Sequence, residues 1–324
     1  MHSAYRRMLI TLAVLCLTCG GASSVIAADK VRATSSQRGF WDTTLILWGQ
    51  EQGFFKDENI DLEIVWTEGG ADEVQASVSG SVDITTGTGI VGVIGAWAKG
   101  APIRIISAEM TGPSDLFWYV KADSPIKALS DLNGKTVAFS RPGSSTDTVA
   151  QALIKLSGTN AKALSTGGPA ATLTQVLTNQ VDVGWSAGVV NYDRIDKGEL
   201  RLLARGSDVP ELRTQTIRVH IANANFLEKN KDLVRRFLRA QQKTIDWAYR
   251  ENKAVERYAE MNNVSVDIAR KARDQFYPKA ALVHKPVSNV DLSIRQAVDS
   301  KRIDAPLSSA QVTDMLRYVN ELNP

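Results

Sequence analysis

Glu68-Gly69-Gly70-Ala71-Asp72-Glu73-Val74-Gln75, followed by Val78, Gly80 and Val82-Asp83-Ile84-Thr85-Thr86-Gly87, has a second copy further along the chain. That copy reads Thr166-Gly167-Gly168-Pro169, Thr172-Leu173, Val176-Leu177 and Val181-Asp182-Val183-Gly184-Trp185. Each reads as a loop, a helix and a short apolar strand ending in small polar residues. Two such units predict two similar α/β lobes facing each other. Small ligands bind preferentially in clefts of this kind. The repeat therefore points to binding before any catalytic residue is considered.

Outward from the repeat, the spacing of strands and helices extends the same architecture. Val31 to Ser35 predicts a strand, and Thr43 to Gln52 a helix with Asp42 or Thr43 as N-cap and Gly53 at its end. Ile60 to Trp66 alternates apolar and polar residues like a half-buried strand. Strand Val82 to Thr86, helix Gly89 to Ala98 and strand Ile103 to Ala108 follow. Strands separated by helices of this length imply βαβ units and a largely parallel sheet. Leu116 to Val120 is a further strand, after which Asp123-Ser124-Pro125 breaks the pattern and marks the first crossover between lobes.

Lobe two is expected to hold strand Thr136 to Ser140, helix Thr146 to Leu156, the second Gly-Gly helix, strand Val181 to Trp185 and strand Arg201 to Ala204. Thr216 to Ile221 alternates and is the expected return crossover. The helical tail from Ala224 onward should pack on lobe one. The expected organisation is a signal peptide over 1–28, lobe one over 29–121 and 218–324 with the C-terminal helices, and lobe two over 122–217. The fold class is α/β, with two Rossmann-like lobes, a ligand cleft between them and two crossover strands.

Residues 1–28 have the layout of a cleavable secretory signal peptide: Arg6 and Arg7, an apolar run from Met8 to Leu17, and Val25-Ile26-Ala27-Ala28. The apolar run is short of the ~20 residues that span a bilayer. Cys16 and Cys19 both lie in this segment, so the mature chain is expected to carry no cysteine, disulfide or thiol chemistry. Without Arg6 and Arg7 the basic count falls from 38 to 36 against 35 acids, a net charge of +1. Near-neutrality argues against nucleic-acid binding, which needs clustered basic charge.

Chemistry-bearing residues concentrate at strand ends. Ser140-Arg141-Pro142-Gly143-Ser144-Ser145-Thr146-Asp147 leaves a strand and opens a helix, whose unpaired amides suit an anion. Arg141 adds fork geometry for a carboxylate, sulfonate or phosphate. An ordinary capped helix with a solvated arginine is the competing reading. Thr85-Thr86-Gly87-Thr88-Gly89 reads as a similar turn, opposite Gly184-Trp185-Ser186-Ala187-Gly188. Gln37-Arg38-Gly39-Phe40-Trp41-Asp42 follows the first strand, where the ligand crevice of an open α/β sheet lies. Phe40, Trp41 and Trp185 either cover a solute or pack beneath neighbouring helices. Arg218 and His220 on the return crossover either reach the cleft or serve structure. HExxH and P-loop patterns are absent. Ser144 or Ser145 with His220 as nucleophile and base lacks an orienting acid or oxyanion motif, so the expectation is a non-enzyme with no cofactor and no metal.

Several segments together resemble a known family. Gly53-Phe54-Phe55-Lys56-Asp57-Glu58-Asn59-Ile60-Asp61-Leu62-Glu63 is similar to the GFFKKEGLDVE stretch of periplasmic solute-binding proteins of ABC importers. The subgroup is that of aliphatic sulfonates, taurine and nitrate, with the thiamine-precursor-binding proteins. Ser79-Gly80-Ser81-Val82-Asp83-Ile84 resembles its SGQVDFG element, Leu129 to Ala138 its SLKDLKGKKVAV, and Gln180-Val181-Asp182-Val183 its GQVDAA. The resemblance implies a type II periplasmic binding fold that closes on one solute and delivers it to inner-membrane permease subunits, from a monomer in the periplasm.

Carried over by position, the resemblance implies ligand contacts from Gln37, Arg38, Phe40, Trp41, Asp42, Thr86, Thr88, Arg141, Gly143, Ser144, Ser145, Thr146 and Trp185. Arg218 on the crossover completes the candidate set. Arg38, Arg141 and Arg218 favour a small organic anion such as a sulfonate, nitrate or carboxylate, unless Asp42, Glu68 and Glu109 neutralise them. Arg38-Gly39-Phe40-Trp41 and Trp185-Ser186-Ala187 depart from the family pattern, which reads a smaller polar loop and Trp-Glu-Pro there, and fit a larger or aromatic solute equally. The alternatives are a binder of a thiamine-precursor pyrimidine, a pyrimidine-synthesising enzyme on the same scaffold, and a solute sensor that does not transport.

Overall fold

The computed structural model describes residues 27–323, so the expected signal peptide, apart from Ala27 and Ala28, lies outside the described residues. The first half runs β1 (Asp29–Ser36), α1 (Trp41–Glu51), α2 (Phe54–Asp57), β2 (Ile60–Thr67), α3 (Ala71–Ser79), β3 (Ile84–Gly89), α4 (Ile90–Ala98) and β4 (Ile103–Thr111). Then come β5 (Leu116–Lys121), β6 (Thr136–Phe139), α5 (Ser145–Ser157), β7 (Lys162–Ser165), α6 (Pro169–Leu177), β8 (Gly184–Ala187), α7 (Tyr192–Asp196) and β9 (Leu200–Arg205). The chain closes with β10 (Thr216–Asn223), α8 (Ala224–Lys229), α9 (Lys231–Arg250), α10 (Asn252–Asn262), α11 (Val266–Phe276), α12 (Val290–Asp299) and α13 (Ser309–Leu322).

One lobe is built on a five-stranded sheet of order β2-β1-β3-β10-β4; the other on a three-stranded sheet β8-β5-β9 beside the pair β6-β7. The sheets are mixed rather than largely parallel. β1 pairs in parallel with β2 and β3, whereas β10 runs antiparallel to β3 and β4, and β5 antiparallel to β8 and β9. The reversed strands are those entering from the opposite lobe, where no βα crossover sets their direction. β5, expected within lobe one, hydrogen-bonds only within the second lobe's sheet, so the chain crosses before Leu116 and not after Lys121.

The Val-Asp repeat has one structural meaning in both lobes. Asp83 Oδ2 accepts the Arg32 backbone N–H of β1 at 2.8 Å, while Oδ1 accepts from the Arg32 guanidinium at 2.9 Å. Asp182 Oδ2 accepts the Thr136 backbone N–H of β6 at 2.9 Å and the Thr136 hydroxyl at 2.8 Å. Each aspartate satisfies a strand amide and locks the Gly-Gly helix unit onto a neighbouring strand, β1 in one lobe and β6 in the other. The strands themselves start later than Val82 and Val181, because the aspartate is spent on this cross-link.

The C-terminal helices mostly cover lobe one. Asn323 donates to the Ile106 carbonyl of β4 at 2.7 Å, and Phe237 of α9 packs on Phe55 at 5.2 Å between ring centres. α11 departs from the expectation by reaching across: Phe276 packs on Tyr192 at 5.8 Å and Ser114 donates to its carbonyl at 2.8 Å. Among the described residues no helix is long and apolar enough to cross a membrane.

Asp83 is half-buried and its bonds are charge-assisted. Asp83→Ala is expected to cost about 1.5–3 kcal/mol of unfolding free energy, as for hydrogen bonds to charged groups. Urea denaturation checks this; a midpoint unchanged from wild type would show that the cross-link is dispensable.

Candidate functional site

The carboxyl ends of β1 and β6 and the N-termini of α1, α3, α4 and α5 converge where the lobes meet. The enclosed cavity is lined from one lobe by Ser36, Gln37, Phe40, Asp42, Thr43, Gly69, Gly70, Glu73 and Arg218, and from the other by Ser140, Ser144, Ser145, Thr146 and Trp185. Both strand-end clusters singled out in the sequence thus face one space. The space is small, about 30 Å³, room for one or two waters. The chain's own side chains fill most of the gap. A larger groove, about 780 Å³, lies between the flanks of α5 and α12. It takes Phe139 from the end of β6, but the Gly-Gly loops do not reach it.

Glycines explain how the lobes come so close. Gly70, with φ of 58°, sits where a Cβ would stand 3.0 Å from Arg141 Cβ and 3.1 Å from Ser144 Cβ of the facing lobe. Its counterpart Gly168 approaches Glu68 across the same gap in return; a Cβ there would stand 2.9 Å from the Glu68 carboxyl oxygen. Gly92 lies inside α4, where glycine costs roughly 0.5–1 kcal/mol of helix stability relative to alanine. A Cβ there would meet the Gly143 carbonyl oxygen at 2.6 Å. Gly92 therefore serves the contact between lobes at the expense of its own helix.

At the floor, Arg218 of β10 is 5% exposed and bridges two carboxylates. Its Nη1 donates to Asp42 Oδ2 at 2.8 Å, its Nη2 to Asp115 Oδ2 at 2.6 Å and its Nε to Ser145 Oγ of α5 at 3.2 Å. Burial opposes the guanidinium charge, but Asp115, Asp42 and Glu109 outweigh it and hold it protonated. Burial, with the neighbouring Asp42, raises Asp115 to about 6 against the pull of Arg218. Burial, then the negative neighbours Asp42, Asp115 and Glu73, push Glu109 well above the usual carboxylate range. Beneath Asp42, a second small space is lined by Glu109, His220 and His284. His220 Nδ1 accepts the Gly87 N–H at 3.1 Å, and burial lowers His220 to about 3 and His284 to about 4, so both imidazoles are neutral.

The remaining candidates separate into cleft, core and rim. Phe40 and Trp185 form an aromatic wall, edge to face at 6.3 Å, and Trp185 Nε1 is fixed by the Gly167 carbonyl at 3.1 Å. Ser144, Ser145 and Thr146 line the cavity, but their hydroxyls are largely committed: Ser144 caps α5 through the Asp147 N–H, and Thr146 Oγ1 bonds Ser140 and Ser144. Thr86 donates to the Thr34 carbonyl at 2.7 Å, and Thr88 is buried beside it in β3. Residues 85–89, read as a turn, are strand, and α4 begins only at Ile90.

Trp41 is not a cleft residue. It packs on Trp48, Tyr258 and Tyr249 at 4.9, 5.2 and 5.8 Å, because it opens α1 on the face turned to α9 and α10. Arg38 is exposed and stacks over Trp66 at 4.1 Å. Arg141 pairs with Asp72 across the rim at 3.2 Å, and Gly143 donates to Asp147 while packing on α4. The three arginines expected to favour an anion are thus each engaged elsewhere or neutralised, which is a correction to the sequence reading. Glu73 and Asp115 were missed. Glu73 had a signal, since its position three residues after Gly70 is the capping-box position, and its Oε2 accepts the Gly70 N–H at 3.1 Å.

Against this geometry the comparisons place the chain. The family model of NMT1/THI5-like proteins matches residues 41–254, and the chain belongs to that family. The 4-amino-5-hydroxymethyl-2-methylpyrimidine phosphate synthase THI11 of Saccharomyces cerevisiae is 22% identical over 215 residues, 62% of this chain and 62% of that protein. The chain thus spans less than two thirds of the length of the curated relatives it matches. Among solved structures, the alkanesulfonate-binding protein SsuA from Xanthomonas axonopodis pv. citri bound to MOPS superposes with a TM-score of 0.70 at 17% identity, covering 92% of this chain and 96% of that one. The periplasmic nitrate-binding protein NrtA from Synechocystis PCC 6803 gives 0.67 at 13% identity, over 91% and 86%. The fold is the two-lobe periplasmic binding protein fold.

Burial raises the Glu73 carboxyl to about 8. An acid whose folded pKa lies above its unfolded value keeps its proton in the fold. Its stabilising contribution is full below the unfolded value, near 4.5, and is lost as pH rises from there to about 8. Glu73→Gln retains an acceptor for Gly70 and cannot ionise. It is expected to raise the melting temperature at about pH 8.5 and to change it much less at about pH 5, by calorimetry. An equal shift at both would refute the assignment.

Proposed function

We propose that this protein is the exported solute-binding component of an ABC importer. It closes its two lobes over one small organic solute and presents the closed form to permease subunits from the periplasm. The observation that carries this reading is a single cavity built from the strand ends and helix N-termini of both lobes, floored by Arg218 and walled by Phe40 and Trp185. Binding would shift an open–closed equilibrium by as much as the solute prefers the closed form. The names of SsuA and NrtA support solute binding and keep the anionic solute as a second reading. The synthase reading draws only on the name of the 22% identical yeast relative, and the mature chain has neither a cysteine nor a histidine-rich motif to add to it.

The test is a wedge. Gly92→Leu replaces the worst residue for α4 with a good helix former, but its side chain must displace the Gly143 backbone for the lobes to meet. Native mass spectrometry of the full chain incubated with growth-medium solutes is expected to show one bound molecule per chain. In Gly92→Leu the affinity for that molecule is expected to fall about tenfold or more, roughly 1.4 kcal/mol, while circular dichroism stays unchanged. Undiminished binding by the wedge variant would place the solute outside the cleft and end the reading.

A further inference from the structure

We propose that the solute of this cleft is a small organic base, bound as its cation through an ammonium or amidinium group. The inference rests on the receptor reading above and names the chemical class of its solute.

Charge at the floor is the first argument. Four carboxyl groups, Asp42, Glu73, Glu109 and Asp115, are buried around one arginine, each 7% exposed or less. Asp42 and Glu73 line the interlobe cavity directly, Glu109 lines the space beneath, and Asp115 backs Arg218. Each keeps one carboxyl oxygen with no partner in the protein: Asp42 Oδ1, Glu73 Oε1, Glu109 Oε2 and Asp115 Oδ1. Buried acceptors without donors are costly unless something supplies an N–H. Arg218 has already spent Nε, Nη1 and Nη2 on Ser145, Asp42 and Asp115.

The second argument concerns the helix N-termini, ordinarily the attraction for an anion. α1 carries Asp42 in its first turn, α3 carries Asp72 and Glu73, and α5 carries Asp147, which also takes the Gly143 N–H at 2.8 Å. The positive ends that face the cleft are answered by the chain's own acids. α4, which lacks one, abuts the Gly143 carbonyl instead. An incoming sulfonate would meet carboxylates at each approach. A cation would meet free acceptors.

The third argument is the wall. Phe40 and Trp185 line the same cavity as Asp42 and Glu73. An aromatic face beside carboxylates is the chemistry that recognises organic ammonium and amidinium groups. The cationic head would sit between the free oxygens of Asp42 and Glu73, with its carbon frame against Phe40 and Trp185.

The experiment compares ring-matched probes of opposite charge on the full chain by isothermal titration calorimetry: benzamidine and benzylamine against benzoate and benzenesulfonate. The inference expects the cations to bind at least about tenfold more tightly than their matched anions. It also expects that preference to shrink in Glu73→Gln, which keeps the capping bond to Gly70 but, unlike Glu73, cannot give up a proton to face a bound cation. Tighter binding of benzoate or benzenesulfonate overturns the inference and leaves the receptor reading standing. Cation binding that Glu73→Gln and Gly92→Leu leave untouched lies outside the cleft and also overturns it. If neither series binds, the inference fails, while the receptor reading is decided separately by the growth-medium solute and the wedge variant.

Discussion

The buried charge of Arg218 is the constraint on which the rest of the structure turns. One guanidinium joins α1 through Asp42, the approach to β5 through Asp115 and the N-terminus of α5 through Ser145. Those three partners belong to lobe one, to the crossing between lobes, and to lobe two. A charge so buried is tolerated only with its counter-ions in place, and removal of one member leaves the others uncompensated. The floor of the cleft and the relation between lobes are therefore held by one set of bonds.

Around that floor the chain uses one building unit twice. Asp83 and Asp182 perform the same task, each binding the backbone amide of a neighbouring strand. Gly70 and Gly168 perform a reciprocal task, each making room for the other lobe. A pseudo-symmetric pair of units places two sets of strand ends opposite each other, which is how a cleft with a polar rim arises from short local motifs.

Much of this was legible in the residues. The glycine pair, the amphipathic run and the Val-Asp dipeptide are local signals, and each led to the correct kind of element. The loops at 37–42 and 140–146 were legible for the same reason, since a strand end followed by a helix start fixes which end of the sheet they occupy. What was not legible was partnership across long separations. Arg218 looked available for a ligand because nothing near it in sequence showed that Asp42 and Asp115 would claim it. Trp41 and Phe40 are neighbours, yet the first turns into the aromatic core and the second into the cleft. Only the rotation of α1 decides which. The antiparallel placement of β5 and β10 also depends on the path between lobes and not on any pattern within those strands.

The meeting of Gly89 and Gly92 with Gly143 has a thermodynamic side. That seam is main chain against main chain, so bringing it together freezes no rotamers, whereas a seam of long side chains loses roughly 0.5–1.5 kcal/mol for each one it immobilises. On the receptor reading proposed above, shutting the molecule is then cheap in conformational entropy, and a weakly held guest would suffice to tip the balance between two shapes.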